Sequence, residues 1–277
     1  MARGGVRTAL AVVLLAAGGV ACGSGTSAHD SPRPPGETPE AAVAGAERYA
    51  RGITSLRYRV TGTVAGQGAV AAEVSLRTRP SAMVMRLTAL GGRGPGEVRF
   101  VGGAMYADAG ALAPGKAAGR TWVRAEPGVW GRGALDNRSY GVLPPQLEAS
   151  PVLQSTFLTA SRDVRGTGRE TIDGTGTFHY RGTVTGDGLR ALKGPTVEGA
   201  AEERLVDLLD QLILLRVDER LTVDLWTDDE HRTRRLRLRA ATGPLDLTIT
   251  FLEVNRPVIV QPPPASDTAD IADIAAG

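Results

Sequence analysis

Apolar and polar residues alternate one by one over much of this chain. Leu56, Tyr58, Val60, Gly62 and Val64 share one parity, while Arg57, Arg59, Thr61 and Thr63 take the other. A two-residue period puts such sets on opposite faces of an extended strand, one dry and one wet. The pattern returns with Val70, Ala72, Val74 and Leu76 against Glu73, Ser75 and Arg77, and Met83, Met85 and Leu87 follow Pro80. Farther on, Phe178, Tyr180 and Val184 oppose His179 and Arg181, and Leu221, Val223 and Leu225 oppose Thr222 and Asp224. Leu236 and Leu238 oppose Arg235, Arg237 and Arg239, while Leu245, Leu247, Ile249 and Phe251 oppose Asp246, Thr248 and Thr250. Between these runs lie turn formers such as Gly66-Gln67-Gly68 and Asp228-Asp229-Glu230. Most connections are too short for the helical crossovers that parallel strands need. The expectation is an antiparallel sheet of about ten strands, built from consecutive hairpins, with one solvated face.

Helices are few. Thr38, Pro39 and Glu40 form an N-cap, a first-turn proline and an acidic neighbour, and Val43, Ala46, Tyr49, Ala50 and Ile53 follow on one helical stripe. A second helical region is expected from Pro145 to Ala160, interrupted at Pro151. A third runs from Gly199 to Arg216 with Leu205, Leu208, Leu209 and Leu212 on its apolar face, which Ile213, Leu214 and Leu215 widen. The fold class is α+β, a large sheet whose dry face these helices must cover. Where sheet and helices stand apart, an apolar cavity suited to acyl chains is left. Its expected lining is Val60, Val74, Leu76, Met83, Met85, Leu87, Phe100, Phe178, Tyr180, Leu208 and Leu212, with Val223 given no role. Met83, Met85 and Met105 fit a pliable lipid-contacting wall and ordinary core filling equally well.

The N-terminus has a different character. Arg3 and Arg7 precede an uncharged stretch from Thr8 to Ala21, and Gly18, Gly19, Val20 and Ala21 lead to Cys22, the sole cysteine. This is the anatomy of a secretory signal peptide, too short for a comfortable transmembrane span. Small residues followed at once by cysteine resemble the lipobox of bacterial lipoproteins, with Gly19 where that motif most often has leucine. An exposed, unpaired thiol is a liability outside the cell, so Cys22 is expected to carry a lipid anchor. The chain divides into a signal peptide (1–21), a flexible tether (22–37), one domain (38–260) and a loose, disordered tail (261–277).

Charge excludes several functions. The chain has 32 Lys and Arg against 30 Asp and Glu, and a leader with Arg3 and Arg7 leaves 30 of each. No global basic field that would suggest nucleic acid is present. Three histidines, His29, His179 and His231, sit in the tether, on a wet strand face and in a turn, so neither metal nor cofactor is expected. No nucleophile elbow leads from a strand into a helix, and Gly166-Thr167-Gly168 reads as a turn, so no catalytic residue is assigned. The run Arg232, Arg234, Arg235, Arg237 and Arg239 is read as the wet face of a strand paired with neighbouring acids, against docking on anionic head groups.

The order of elements and several phrases resemble the actinobacterial LppX/LprAFG lipoproteins, which have a LolA-like fold. The phrases are Thr54-Ser55-Leu56 before a Thr-Gly-Thr strand, Gly102 to Tyr106, Thr121-Trp122-Val123, Phe178-His179-Tyr180, Val223 to Asp228, and Arg256 to Ile259 ahead of Pro262. The resemblance implies a strongly curved half-barrel whose concave face, covered by helices, holds acyl chains of lipid or lipoglycan. It also implies anchoring at the extracytoplasmic face of the cell membrane. The stretch Gly128 to Gly141, with Trp130, is longer than relatives usually have. The expected protein is a monomeric, non-catalytic lipid carrier that works with an envelope transporter. The alternatives are an anchored interaction or sensing module without cargo, which recruits an envelope partner, and a secreted hydrolase.

Overall fold

A computed structural model describes residues 36–112, 119–126, 143–192 and 199–276. The leader, Cys22, most of the tether and the Gly128 to Gly141 stretch lie outside the described residues. The first helix, α1 (Pro39–Arg51), begins where the sequence placed it, with the Thr38 hydroxyl accepting from the Ala41 N–H. Six strands follow: β1 (Ser55–Val64), β2 (Gly68–Thr78), β3 (Ser81–Leu90), β4 (Gly96–Val101), β5 (Ala104–Asp108) and β6 (Trp122–Ala125). A one-turn helix, α2 (Ala109–Leu112), separates the last two. The region broken by Pro151 resolves into α3 (Pro145–Glu148), α4 (Pro151–Gln154) and a 3-10 turn, Phe157–Ala160. Then come β7 (Arg165–Ile172), β8 (Thr175–Val184), α5 (Gly186–Leu192), α6 (Ala200–Leu214), β9 (Leu221–Thr227), β10 (Thr233–Ala240) and β11 (Asp246–Val254).

With a last strand, β12 (Thr268–Asp270), all strands of the described residues join one open, curved sheet of twelve, in the order β12-β6-β5-β4-β3-β2-β1-β11-β10-β9-β8-β7. Every pairing is antiparallel except that of β12 with β6. The two halves, β1 to β6 and β7 to β11, meet at the β1–β11 seam. There Gly62 stands at φ 146°, and a Cβ on it would lie 1.9 Å from the Asp246 carbonyl oxygen. Only glycine allows the backbones that approach.

The chain from Gln261 corrects the sequence reading. Instead of a loose tail it forms a 3-10 turn (Ala265–Asp267), β12 and the helix α7 (Ile271–Ala276). Arginines on the wet face hold the approach to it by backbone carbonyls: Arg77 donates to Val258 O at 3.3 Å and Arg99 to Gln261 O at 3.0 Å. Arg120 donates to Ser266 O, and Arg124 pairs with Asp270 at 2.5 Å. A proline-rich segment cannot bury a core, yet its unpaired carbonyls suit guanidinium donors, and β12 covers the exposed edge of β6. Gly166-Thr167-Gly168 is likewise strand rather than turn: β7 carries a bulge between Gly166 and Gly168, with Gly168 at φ 135°.

Candidate functional site

Cross-strand register stacks the dry-face residues into rows. Leu56, Leu76, Met83, Phe100, Met105 and Ala125 lie opposite one another in turn from β1 to β6. A parallel row holds Phe251, Tyr58, Val74, Met85, Val98, Ala107 and Val123. A third crosses the seam through Leu87, Ala72, Val60, Ile249, Leu236, Leu225 and Tyr180. Residues one strand apart on one face lie within side-chain contact, so the rows make a continuous apolar floor. Helical residues close over it: Ala42, Val43 and Ala46 of α1, Leu147 of α3, Phe157 and Leu158 of the 3-10 turn, Leu189 of α5, and Leu208 and Leu212 of α6 all join the same apolar cluster. Burial pushes the Tyr58 phenol up, so it stays neutral inside this interior.

The structure brings the residues of the expected lining into one packed apolar core. Val60, Val74, Met85, Leu87, Tyr180, Leu208 and Leu212 are buried members of one cluster, and Leu76, Met83 and Phe178 pack against it half-buried; Val223, given no role, is a buried member too. Phe178 lies beneath the Arg169 guanidinium, 4.3 Å from the ring centroid. Phe100, half-buried, continues the first row between Met83 and Met105.

Two polar side chains in the helix layer escaped the sequence reading. Gln154, at the end of α4, is 0% exposed, and among the described residues neither its amide nitrogen nor its oxygen has a hydrogen-bond partner. Gln146 in α3 is 4% exposed with its Oε1 unpartnered. A third glutamine, Gln211 of α6, is satisfied at Oε1, which accepts the Ser150 N–H at 2.6 Å and ties α6 to the start of α4. Leaving a buried amide unpaired costs about 1–3 kcal/mol, so such groups are rare in native interiors.

The opposite face holds a charge network around Asp224, which is 1% exposed. Its Oδ1 accepts from Arg181 Nε at 2.5 Å and sits 2.7 Å from His179 Nε2, while Oδ2 accepts from Arg239 Nη2 at 2.9 Å. Burial alone would raise this carboxyl, but the hydrogen bonds from His179, Arg181 and Arg239 outweigh it and hold the group well below the usual carboxylate range. His179, placed on the solvated parity by its sequence, is 7% exposed. Its ring stacks on Trp226 at 4.1 Å between centroids, and Nδ1 lies 2.8 Å from Glu170 Oε1. The parity is right, but Trp226 covers the ring and makes that part of the wet face dry.

Three arginines of the run, Arg232, Arg237 and Arg239, follow the paired reading. Arg232 binds Asp228 and Glu230, Arg237 grips Asp246 with two bonds of 2.8 and 2.7 Å, and Arg239 goes to Asp224. Arg234 donates to Thr175, and Arg235 lies 5.9 Å from the Trp226 ring centroid. His231 is no free turn residue either: a Cβ on Gly45 of α1 would come within 2.7 Å of its ring, so that glycine makes the seat. A groove of about 300 Å³ opens on this same face, where Ser75 and Val84 are flanked by Arg57, Arg86 and the Arg256–Ile259 segment. Among the described residues no group of three or more His, Cys, Asp or Glu side chains is placed to hold a metal ion.

Comparison with known proteins gives kinship and fold. No protein-family model matches the chain. An uncharacterised 31.2 kDa protein of Streptomyces griseus is 30% identical over 189 residues, 66% of this chain and 59% of its own length. A Streptomyces coelicolor chain named as a lipoprotein is 26% identical over 187 residues, 65% of this chain and 53% of its own. The matched stretch thus spans less than two thirds of either relative. Among solved structures, LprF from Mycobacterium bovis superposes with a TM-score of 0.51 at 16% identity, covering 82% of this chain and 99% of LprF. The Mycobacterium tuberculosis lipoprotein LppX gives 0.47 at 18% identity, covering 80% and 98%. By its open, curved, helix-covered sheet the chain shares the fold of LprF.

Proposed function

We propose that this protein is a non-catalytic lipoprotein of the cell envelope, anchored through Cys22, that binds the acyl chains of a lipid or lipoglycan between its sheet and its helix layer and carries them. One observation bears most of the weight: the dry face of a twelve-stranded open sheet is capped by a helix layer in which the single turns α3, α4 and Phe157–Ala160 join the longer α1, α5 and α6. Each one-turn helix has few hydrogen bonds of its own, so packing against the sheet is nearly all that keeps it in place. Such a layer can part from an apolar floor and admit chains at modest cost, replacing one apolar contact by another. The LprF-like fold and the lipoprotein name of the Streptomyces coelicolor relative support the same reading. In this account the protein acts as a monomer at the extracytoplasmic face of the membrane and exchanges cargo with an envelope transporter. Cys22→Ala is expected to shift the protein from the membrane fraction to the culture medium, with an unchanged unfolding curve. Retention in the membrane would count against the anchor.

The near-complete burial of Met85, Leu87 and Tyr180 favours a second reading, an anchored interaction module with a filled interior and no cargo. Uptake of a fluorescent acyl lipid from vesicles separates the two. Saturable uptake is expected of the carrier, and none of the module.

A further inference from the structure

We infer that Gln154 is the polar contact for an acyl ester, and that the cargo is therefore an ester-linked lipid whose linkage region enters the dry interior. This deepens the lipid-binding reading and rests on it. Gln154 is fully enclosed, yet its amide, with two N–H donors and one carbonyl acceptor, makes no hydrogen bond among the described residues. Gln146 Oε1, eight residues earlier, is in the same state. Both side chains belong to the short helices α3 and α4, whose neighbours Leu147, Phe157 and Leu158 are part of the apolar cluster. Most enclosed polar groups in native proteins are paired, and although single atoms such as Trp226 Nε1 and Thr227 Oγ1 are also open here, Gln154 is the fully enclosed side chain with both ends of its amide open, which points to a partner that completes it.

The chemistry of that partner follows from the amide. A hydrocarbon chain offers neither donor nor acceptor, so acyl tails alone leave Gln154 as it stands. An ester carbonyl accepts from the amide N–H, and a glycerol or sugar hydroxyl donates to the amide oxygen and to Gln146 Oε1. Buried water would do the same and is the competing occupant. Substitution by leucine separates the two, because an orphaned amide that serves no ligand is a burden on the fold whose removal is neutral or stabilising.

The test uses the full chain carrying Cys22→Ala, released into the medium, with fluorescent phosphatidylglycerol in its diester form and in a diether form lacking the carbonyls. The unsubstituted interior should prefer the diester by about tenfold, the worth of one hydrogen bond. Gln154→Leu should erase that preference, weaken diester binding by about the same factor and leave the melting temperature no lower. Gln154→Met serves the same purpose should the leucine variant fail to fold. A preference that survives the substitution, or diester binding unchanged while the melting temperature rises, would overturn the inference and leave the carrier reading intact. Absence of binding by either lipid would overturn both.

Discussion

Asp224→Ala should cost about 2–3 kcal/mol of unfolding free energy, below the range for a fully buried pair because the two arginines that lose their counter-ion are partly exposed and partly screened. His179, Arg181 and Arg239 all turn toward this one carboxylate from β8 and β10. Without it, two guanidinium groups and an imidazole stacked on Trp226 face each other across β9. Urea unfolding followed by circular dichroism gives the magnitude, and a loss below about 1 kcal/mol would place the network in the class of surface pairs. The pH dependence has a definite sign. The folded carboxyl is held below its unfolded value of about 3.9. Its stabilisation is therefore fully present above that value and fades as pH falls through the lower folded one. The stability gap between the parent and Asp224→Asn should narrow in acid, below about pH 4, and stay constant near neutrality.

The second large effect belongs to the seam. Gly62→Ala is expected to destabilise by about 3 kcal/mol or more, because two penalties fall on one residue. The backbone stands at φ 146°, where L-residues are strained, and the new methyl would collide with the Asp246 carbonyl 1.9 Å away. Since the β1–β11 pairing alone joins the two halves of the sheet, the damage should not stay local. Amide exchange should quicken along both strands, from Thr61 to Val64 and from Asp246 to Ile249, with loss of the apolar rows that cross there. A variant as stable as the parent would mean that the seam can slide to make room.

The hairpins were legible because a two-residue period is a property of sequence alone. Leu56 to Val64 and Leu245 to Phe251 carry it so cleanly that parity and dry face followed together, whereas their pairing with each other lay outside the expected consecutive hairpins. Thr38 announced its helix by the same directness. What stayed hidden depended on neighbours distant in sequence. The about ten strands expected from alternation became twelve, since Trp122–Ala125 and Thr268–Asp270 are too short to show a period. His179 read as exposed because nothing local says that Trp226 will lie flat on it. Gly45 gives no sign that it seats His231, nor Gln154 that its amide will be left unpaired. The residues expected to line a cavity fall in one apolar core for a simple reason: every strand residue among them has the dry parity, and register brings them together.

The most direct test of the carrier account is to isolate the Cys22→Ala chain under native conditions, extract it in denaturant and examine the extract by mass spectrometry. Ester-linked acyl lipid recovered in stoichiometric amount with the protein is the predicted result. Protein recovered free of any acyl species, and equally unable to take up a fluorescent acyl lipid afterwards, would contradict it.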